Sequence, residues 1–203
     1  MTDASIAAAY DERAAEYIEI AGEIAQMDAA DRERISTWRD ASSGRLLDAG
    51  CGPGIWTEFL HDGHRDVVGV DISAAFLAAA RFRAPGLVFQ RASLRALPFE
   101  DASLGGILAW YSVIHTPPED VPAILAEFAR VLAPGGSLLL GYFEGPPRED
   151  FAHAVAPAYF WSADALSALL ADAGLAVVST ERRDRVPGEV SHRPHGALTA
   201  RRL

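Results

Sequence analysis

Short apolar runs alternate with longer amphipathic stretches along the chain from about residue 45 onward. Short apolar runs predict buried strands, and apolar residues spaced three or four apart predict helices. Strands that alternate with helices are typical of a parallel α/β sheet. The predicted strands are Arg45–Ala49, Val67–Asp71, Leu87–Arg91, Ile107–Tyr111, Ser137–Phe143, Ala176–Glu181 and Ala197–Arg201. The predicted helices between them are Ile55–Asp62, Ala74–Arg83, Val121–Leu132 and Ser162–Ala173.

Two helical patterns precede this alternation, over Ser5–Ile20 and Glu23–Arg39. Because apolar residues recur there at helical spacing, each segment is expected to pack through one face. One interpretation makes residues 1–40 a cap over the carboxyl edge of the sheet, and the alternative packs both helices on the side of the sheet. Glu144–Tyr159 is rich in proline and glycine, which predicts a long irregular connection of the kind that shapes pockets.

The length of 203 residues fits a single domain, 1–203, with an α/β core at 45–203. Half of the residues are hydrophobic and the formal net charge is −10, which is typical of globular proteins. A chain this acidic is repelled by nucleic-acid phosphates and anionic membranes, so neither is expected as a partner. The single Cys51 cannot form an internal disulfide, and no leader pattern or long apolar run occurs. The protein is therefore expected to be cytoplasmic.

All 18 basic residues are arginine, and the chain contains neither lysine nor asparagine. These absences exclude Schiff-base chemistry on lysine and P-loop phosphate binding through a G-x-x-x-x-G-K-[ST] motif. They also exclude N-glycosylation and any oxyanion hole that depends on asparagine. Arginine in place of lysine, together with abundant alanine, indicates a GC-rich bacterial genome.

The most informative segment is Leu46-Leu47-Asp48-Ala49-Gly50-Cys51-Gly52-Pro53-Gly54, a predicted strand that runs into a glycine turn and a helix. Glycines let backbone approach a ligand closely, and ligands of open α/β sheets bind at the carboxyl ends of the strands. The spacing is G-x-G-x-G, whereas dinucleotide-binding turns have G-x-G-x-x-G and rest a pyrophosphate on the helix N-terminus. Pro53 removes an N–H near that terminus and Asp48 adds negative charge. Both features favour a cationic ligand without phosphate.

The next predicted strand ends in a carboxylate, Asp71. A carboxylate at this position can accept hydrogen bonds from both hydroxyls of a ribose. The alternative is the N-cap of the following helix, a role that Ser73 can fill equally well. Together with the glycine turn, Asp71 predicts ribose binding.

Residues 46–54 and 68–71 resemble the cofactor-binding half of the class I S-adenosylmethionine-dependent methyltransferases. Arg95–Asp101 and Glu127–Gly136 extend the resemblance, which covers the chain from about residue 10 to 181. It implies a Rossmann-like, mostly parallel sheet of seven strands in the order 3-2-1-4-5-7-6, with the last strand antiparallel and helices on both faces. It also implies S-adenosylmethionine as cofactor and S-adenosylhomocysteine as product.

Carried over by position, the resemblance places Asp48 near the amino group of the cofactor, Asp71 on the ribose and Ile72 beside the adenine. The family often has an acidic residue that reads the adenine amino group, where this chain has the uncharged Ser93. The segment Tyr10–Tyr17 resembles the helix by which small-molecule members close over the cofactor, although its tyrosines also suit the core. The implied cofactor-binding residues are Tyr17, Asp48, Gly50, Gly52, Gly54, Asp71, Ile72, Ser93, Leu94 and Trp110.

Trp110–Pro118 follows the fourth predicted strand and is expected to face the methyl acceptor. The [DN]-P-P-[YFW] signature of amide and adenine amino methyltransferases is absent, because Thr116 precedes the two prolines. His115 is the candidate catalytic base, since an ordinary histidine pKa of about 6.5 leaves it able to take a proton at neutral pH. The alternative is a histidine that only pins the loop. Five aromatic residues either line an acceptor pocket or belong to the core, namely Phe143, His153, Tyr159, Phe160 and Trp161.

Metal binding and cysteine chemistry are not expected. The other histidines lack H-x-H or H-x-x-x-H spacing, and His61 and His64 are interpreted as part of a solvated helix end. Cys51 has no base at a recognisable spacing and is expected to be a small turn residue. Arg193 and the neighbouring arginines either bind an acidic acceptor or are solvated.

The sequence thus predicts an enzyme that transfers a methyl group to an oxygen, nitrogen or carbon of a small organic acceptor. One alternative is a protein of this fold that binds the cofactor without transferring methyl. The other is an oxidoreductase that uses NAD or NADP, which the glycine spacing and Pro53 disfavour. The sequence identifies neither the acceptor nor the oligomeric state.

Overall fold

Seven strands form the main sheet of the structure, a computed structural model that describes residues 2–184 and 193–203. The helices are α1 (Asp3–Ala21), α2 (Ala29–Ala41), α3 (Ile55–His61), α4 (Ala74–Arg83), α5 (Val121–Val131) and α6 (Ala163–Asp172). The strands are β1 (Leu46–Ala49), β2 (Val67–Asp71), β3 (Val88–Arg91), β4 (Leu104–Trp110), β5 (Leu132–Phe143), β6 (Asp150–Phe151), β7 (Ala158–Tyr159), β8 (Leu175–Arg183) and β9 (His195–Arg202).

The order of strands in the main sheet is β3-β2-β1-β4-β5-β9-β8. Strands β1 to β5 pair in parallel, whereas β9 runs antiparallel to both of its neighbours, β5 and β8. When the short strands β6 and β7 are left out of the numbering, this is the order that the family resemblance implies. The prediction of a mostly parallel Rossmann-like sheet with its last strand antiparallel is confirmed.

Two local predictions are wrong. The predicted helix Glu23–Arg39 begins too early, because the chain forms a 3₁₀ turn at Ile24–Gln26 and α2 starts only after Asp28. The Asp28 side chain accepts the backbone N–H of Ala30 at 2.8 Å, which caps the new helix. The segment 144–159, expected to be irregular, contains the two-stranded sheet of β6 and β7. Strands of two residues are too short to show an alternating pattern.

Successive residues of the central strands face opposite layers of helices, as a pleated strand requires. Leu46 of β1 packs with Ile35 and Trp38 of α2 on one face of the sheet. Leu47 packs in the larger cluster on the other face, which α5 and α6 cover with residues such as Phe128. Helix α2 therefore lies on the side of the sheet, as the alternative interpretation of the N-terminal helices expected.

Helix α1 lies elsewhere, at the edge where the parallel strands end. Its side chains form hydrogen bonds with Ser73 after β2, Ser93 after β3 and His115 after β4. The carboxyl ends of β1 and β2 meet the glycine turn at the same edge, so α1 covers the crevice in which open α/β sheets bind ligands. The division of the chain into a cap at 1–40 and a core stays a prediction. No helix in the described part of the chain is both long and apolar enough to cross a membrane.

Candidate functional site

Packing requires glycine at two of the three glycine positions in the turn after β1. Gly50, Gly52 and Gly54 all have positive φ, at 78°, 52° and 87°. A Cβ on Gly50 would lie 2.3 Å from the Cβ of Ser112, and a Cβ on Gly54 would lie 2.9 Å from that of Ala80. Both positions therefore need glycine to fit the surrounding protein, whatever ligand binds.

Gly52 is the glycine that faces open space. Its nearest neighbour for an added Cβ is a ring carbon of Phe76 at 3.9 Å. Its backbone N–H donates to Oδ2 of Asp71 at 2.8 Å, so the turn after β1 is tied to the end of β2. Of the three glycines, Gly52 is the one whose backbone a ligand can approach.

Asp71 is buried and its carboxylate is oriented by backbone groups on both sides. Oδ2 accepts the N–H of Gly52, and Oδ1 accepts the N–H of Ser73 at 2.8 Å. Burial raises the pKa of Asp71 above its ordinary value, while these hydrogen bonds act in the opposite direction. Each carboxylate oxygen still has capacity for one further donor. The arrangement therefore suits two hydroxyl donors of a ligand.

Asp48 lies beneath the turn and forms its polar contact with the protein. Its Oδ2 accepts the hydroxyl of Thr57 on α3 at 2.7 Å, and only 2% of the residue is exposed. Burial raises the pKa of Asp48 to about 7. Cys51 is also buried, and burial raises the pKa of its thiol, which opposes formation of a thiolate.

Helix α1 is fastened to the start of α4 by Asp11. One oxygen of Asp11 accepts the hydroxyl of Ser73 at 2.5 Å and the N–H of Ala75 at 3.0 Å. These hydrogen bonds lower the pKa of Asp11. An acceptor from one helix thus satisfies an N-terminal N–H group of another, where a negative charge is favoured.

Two tyrosines of α1 lie over the crevice. The ring centroids of Tyr10 and Tyr17 lie 5.4 and 5.2 Å from that of Phe76 on α4. Burial is the main cause that raises the pKa of both tyrosines, and the nearby Asp71 carboxylate adds to the effect. Tyr17, predicted to bind cofactor, therefore lies beside the candidate ribose-binding carboxylate.

The remaining predicted cofactor residues have different surroundings. Ser93 forms a hydrogen bond with Asp3 of α1 and accepts the N–H of Arg95 at 3.1 Å. Leu94 is buried in the main core. Ile72 is half-buried. Trp110 packs against the cluster formed with α2. Ser93 and Ile72 thus follow strands at the ligand edge, whereas the contacts of Leu94 and Trp110 are with the core.

His115 is 3% exposed and has a hydrogen-bond partner on each nitrogen. Nδ1 lies 2.8 Å from the carbonyl oxygen of Pro157, and Nε2 lies 2.8 Å from the hydroxyl of Tyr10. A carbonyl only accepts, so Nδ1 carries the proton and Nε2 accepts the Tyr10 hydroxyl. Burial lowers the pKa of His115, which keeps the imidazole neutral and able to take a proton.

A cluster of aromatic rings lies next to His115 and is referred to here as the acceptor-side cluster. His153 is 5.0 Å from His115 between ring centroids, and Phe143 lies between His153 at 6.1 Å and His195 at 5.8 Å. Burial lowers the pKa of both His153 and His195 to about 4, so both are neutral at neutral pH. The cluster consists of Tyr111, Phe143, Phe151, His153, Phe160 and His195.

The structure brings together three of the five aromatic residues that the sequence offered for an acceptor pocket, Phe143, His153 and Phe160. Trp161 is fully buried in the core instead. Tyr159 is half-buried and pairs with Asp150 in the small sheet. In the described part of the chain, no group of three metal-ligating side chains occurs.

Sequence reasoning offered the Tyr10–Tyr17 segment as a cover over the cofactor, but it gave no role to Asp3 and no contacts to the side chains of Tyr10 and Asp11. Asp3, Tyr10 and Tyr17 are spaced seven residues apart, and Asp11 follows Tyr10. Residues at that spacing lie on one face of a helix. A helical face that carries two carboxylates and two tyrosines does not fit an ordinary apolar core, and this pattern was the available signal.

Comparison with known proteins shows what the chain is similar to. A sequence profile for a family described as "Methyltransferase domain" matches residues 46–136. The chain is 32% identical, over 108 residues, to a malonyl-[acyl-carrier protein] O-methyltransferase of Erwinia billingiae, which covers 53% of this chain and 42% of that protein. The chain thus spans less than half the length of this curated relative.

Solved structures share the fold over the whole chain. The 1,6-didemethyltoxoflavin-N1-methyltransferase of Burkholderia thailandensis, solved with S-adenosylhomocysteine, is 22% identical with a TM-score of 0.76, covering 100% of this chain and 91% of that one. The [4+2]-cyclase SpnF is 18% identical with a TM-score of 0.81, covering 100% and 97%. At these identities the likeness establishes the fold alone.

Proposed function

The chain carries the domain of the class I S-adenosylmethionine-dependent methyltransferases, and from that premise we propose that it transfers the methyl group of S-adenosylmethionine to a small organic acceptor. The observation that carries the proposal is the junction of the turn after β1 with the end of β2. There the N–H of Gly52 donates to the buried Asp71 carboxylate, whose oxygens keep acceptor capacity for a ligand. The acceptor-side cluster and His115 lie at the same edge of the sheet.

The residues present fit the cofactor. Gly52 has room for close approach, since an added Cβ would meet nothing nearer than 3.9 Å. Asp71 retains acceptor capacity for the two ribose hydroxyls. Pro53 leaves fewer N–H groups for a phosphate at the start of α3. Gly52, Asp71, Ile72 and Tyr17 would hold the nucleoside and methionine parts of the molecule.

Asp3 supplies a charge that was missing from the sequence prediction. Ser93 itself is uncharged, but it is hydrogen-bonded to the Asp3 carboxylate of α1. Arg95 also approaches Asp3, with Nε 3.3 Å from Oδ1. The Asp3 carboxylate beside Ser93 supports the proposal that an adenine amino group finds its acceptor after β3.

When bound, S-adenosylmethionine supplies a methyl group on a sulfonium, and the protein has to align the acceptor with that carbon and exclude water. Tyr10, Tyr17 and Phe76 form an aromatic cover over the crevice, which keeps water out. Asp11 and Asp3 hold this cover against α4 and the end of β3.

Tyr10 and His115 form the proposed proton-accepting unit. A hydroxyl acceptor gives its proton to the Tyr10 oxygen while the Tyr10 proton moves to Nε2 of His115. The resulting imidazolium keeps its Nδ1–H donated to the Pro157 carbonyl, which stabilises the positive charge. Burial raises the pKa of Tyr10, which disfavours a free tyrosinate, and we therefore propose that the two proton movements are concerted.

Binding of S-adenosylhomocysteine tests the cofactor assignment. A ligand present at 100 times its Kd stabilises the native state by about 2.7 kcal/mol, which raises Tm by about 5–10 °C in a domain of this size. NAD and NADP should leave Tm unchanged, and Asp71→Ala should abolish most of the shift. A larger shift with NAD would contradict the proposal and favour an oxidoreductase.

The proposed partner is a small molecule, and neither nucleic acid nor membrane is expected for a chain with net charge −10. A cytoplasmic location likewise stays a prediction. Both can be checked by fractionating cells that express the protein and by measuring its retention on DNA at low salt.

A second candidate function is cofactor binding without methyl transfer. It is favoured by the two hydrogen bonds of His115, which leave neither nitrogen free in the described structure. SpnF, a cyclase by its name, has the same fold. Failure to transfer radiolabelled methyl to a broad panel of phenols, amines and carboxylic acids, despite tight binding of S-adenosylhomocysteine, would support this second function.

A further inference from the structure

Tyr111 has an unusual backbone conformation at the end of β4. Its φ is +56°, in the left-handed region that residues other than glycine seldom adopt. Such a conformation is strained and persists only where surrounding contacts hold it. The contacts present are rings, since its centroid lies 5.0 Å from Phe143, 5.0 Å from His195 and 5.4 Å from Trp110. The strained backbone thus turns the side chain into the acceptor-side cluster.

The hydroxyl of Tyr111 is buried and has no hydrogen-bond partner among the residues that the structure describes. The hydroxyl of the next residue, Ser112, is in the same state. Ser112 also contacts the glycine turn, because a Cβ on Gly50 would meet its side chain at 2.3 Å. A buried polar group without a partner destabilises the free protein. Two of them lie side by side, between the glycine turn and the acceptor-side cluster.

The rings near Tyr111 indicate which kind of molecule supplies the hydrogen-bond partner that its hydroxyl lacks. Phe151 and Phe160 lie 4.3 Å apart between centroids, and Phe143 lies 5.4 Å from Phe151 at an interplanar angle of 90°. Rings in these arrangements attract a further aromatic ring by stacking and by edge contacts. His153 and His195 are neutral at neutral pH, so they add polar atoms without adding charge.

We propose that the acceptor-side cluster binds an aromatic acceptor molecule, and that the Tyr111 hydroxyl forms a hydrogen bond with a polar atom of that molecule. This proposal rests on the proposed methyl transfer and names the substrate class and a residue that determines specificity. Tyr111 positions the acceptor beside the Tyr10 and His115 pair, which accepts the proton.

A structural role for the hydroxyl is the rival explanation. A cavity of about 10 Å³ adjoins Tyr111 and is lined also by Arg34, Arg183 and His195. A cavity of that size holds one water at most. If a water there satisfied the Tyr111 hydroxyl, removal of the hydroxyl would destabilise the free protein.

The test compares Tyr111→Phe with Tyr142→Phe, which removes a hydroxyl from a tyrosine inside the core. Tm is measured without ligand, and calorimetry with S-adenosylhomocysteine present measures binding of three aromatic probes and two aliphatic ones. The aromatic probes are catechol, hydroquinone and 7-hydroxycoumarin, and the aliphatic probes are malonate and succinate.

We expect Tyr111→Phe to keep or raise Tm, to leave the affinity for S-adenosylhomocysteine unchanged and to weaken binding of an aromatic probe about tenfold, the effect of one hydrogen bond. Tyr142→Phe should not change probe binding. If a probe is methylated, the KM for it should rise in Tyr111→Phe with little change in kcat.

Three results would overturn the proposal. A lower Tm of Tyr111→Phe without ligand shows that the hydroxyl is satisfied in the free protein. Binding of the aliphatic probes alone, or of no probe, contradicts the aromatic class. Equal probe affinity in Tyr111→Phe and wild type removes the specificity role. If S-adenosylhomocysteine itself does not bind, the proposed function fails, whereas Tm and probe binding without it still decide the role of Tyr111.

Discussion

The two sides of the crevice consist of different chemical groups. The cofactor side consists of backbone and carboxylates, with Gly50, Gly52 and Asp71 drawn from two adjacent strands. The acceptor side consists of aromatic side chains from β4, β5, β9 and the connection 144–159. The glycine turn and Asp71 are close in sequence, apart from the cover that α1 adds, whereas the acceptor side is assembled from distant segments.

This difference separates what is common to a family from what is particular to one protein. A turn that depends on positive φ admits few residues besides glycine, so its sequence pattern is narrow. An aromatic cluster tolerates exchange of one ring for another, so its sequence pattern is broad. We therefore expect substitutions on the cofactor side to affect every substrate alike, and those on the acceptor side to discriminate among acceptors.

The largest effect is expected on the acceptor side, from His115→Ala. Loss of the proton acceptor should lower kcat about 10²–10⁴-fold with a hydroxyl acceptor, the usual contribution of a general base. Affinity for S-adenosylhomocysteine should stay unchanged. Because burial lowers the pKa of His115, the acid limb of wild-type kcat should lie below about pH 6.5 and vanish in the variant. Single-turnover rates across pH measure both, and a limb that persists in a folded variant contradicts the base role.

The glycine turn allows a matched pair of variants on the cofactor side. Gly50→Ala should lower the free energy of unfolding by about 3–4 kcal/mol, from backbone strain and from the collision with Ser112. Gly52→Ala should cost only about 1–2 kcal/mol, from backbone strain at positive φ alone, since its Cβ would meet nothing nearer than 3.9 Å. The same Gly52→Ala should nevertheless weaken S-adenosylhomocysteine binding. Urea unfolding measures the two stability losses and calorimetry measures the affinity. Unchanged affinity in Gly52→Ala would contradict the assignment of Gly52 to the ligand.

Asp71→Ala should weaken cofactor affinity by about 2–4 kcal/mol, because two hydrogen bonds to a charged acceptor are lost and water recovers part of them. Asp71→Asn should cost less. The acceptor-side variant His115→Ala is the control, since it should leave this affinity intact. Titration calorimetry on folded proteins measures the difference, and unchanged affinity in Asp71→Ala would rule out the ribose contact.

The smallest effect concerns the pH dependence of stability. In the folded state burial lowers the pKa of His153 to about 4, below its unfolded value of about 6.5. The stability associated with neutral His153 is therefore present above pH 6.5 and is lost as pH falls toward 4. After allowance for partial solvent exposure, we expect a loss of about 1–2 kcal/mol. His153→Gln should remove this part of the acid sensitivity.

On the cofactor side, Asp48 contributes to stability with the opposite pH dependence. Its pKa is raised to about 7, so its contribution is present at low pH and lost as pH rises through that value. The comparison of His153→Gln with wild type at each pH cancels this contribution. An identical loss of stability in both proteins between pH 7 and pH 4 would show that His153 titrates normally.

Local sequence patterns were enough to predict most of the fold and most of the cofactor side. The strands Leu46–Ala49 and Val67–Asp71 were predictable because each is a short apolar run with a clear end. The first is followed by the glycine turn, and the second ends in a carboxylate that suits a ligand. The break between α1 and α2 was predicted at residues 21–22, but its length was underestimated, although Asp28 belongs to a residue type common at helix starts. Glu23–Met27 is a good helix former by composition, and for that reason the second helix was predicted to begin at Glu23.

Contacts between residues that are distant in sequence could not be predicted. Tyr10 and His115 are 105 positions apart, and no periodicity links them. Phe160 and Trp161 are adjacent in sequence, but Trp161 lies in the core and Phe160 lies in the acceptor-side cluster. Adjacent residues of an extended segment point to opposite sides, and sequence alone did not reveal which side faced the crevice.

The position of α1 imposes an order of events. Tyr10 completes the proton-accepting pair with His115, and Tyr17 and Asp3 cover the ends of β2 and β3. If the proposed function holds, we expect the nucleoside to enter and leave past this helix, because α1 covers the crevice in which Asp71 lies. Lifting breaks the Asp11 contacts with Ser73 and Ala75. For the proposed methyl transfer we therefore expect the rate at which α1 opens to set an upper bound on turnover.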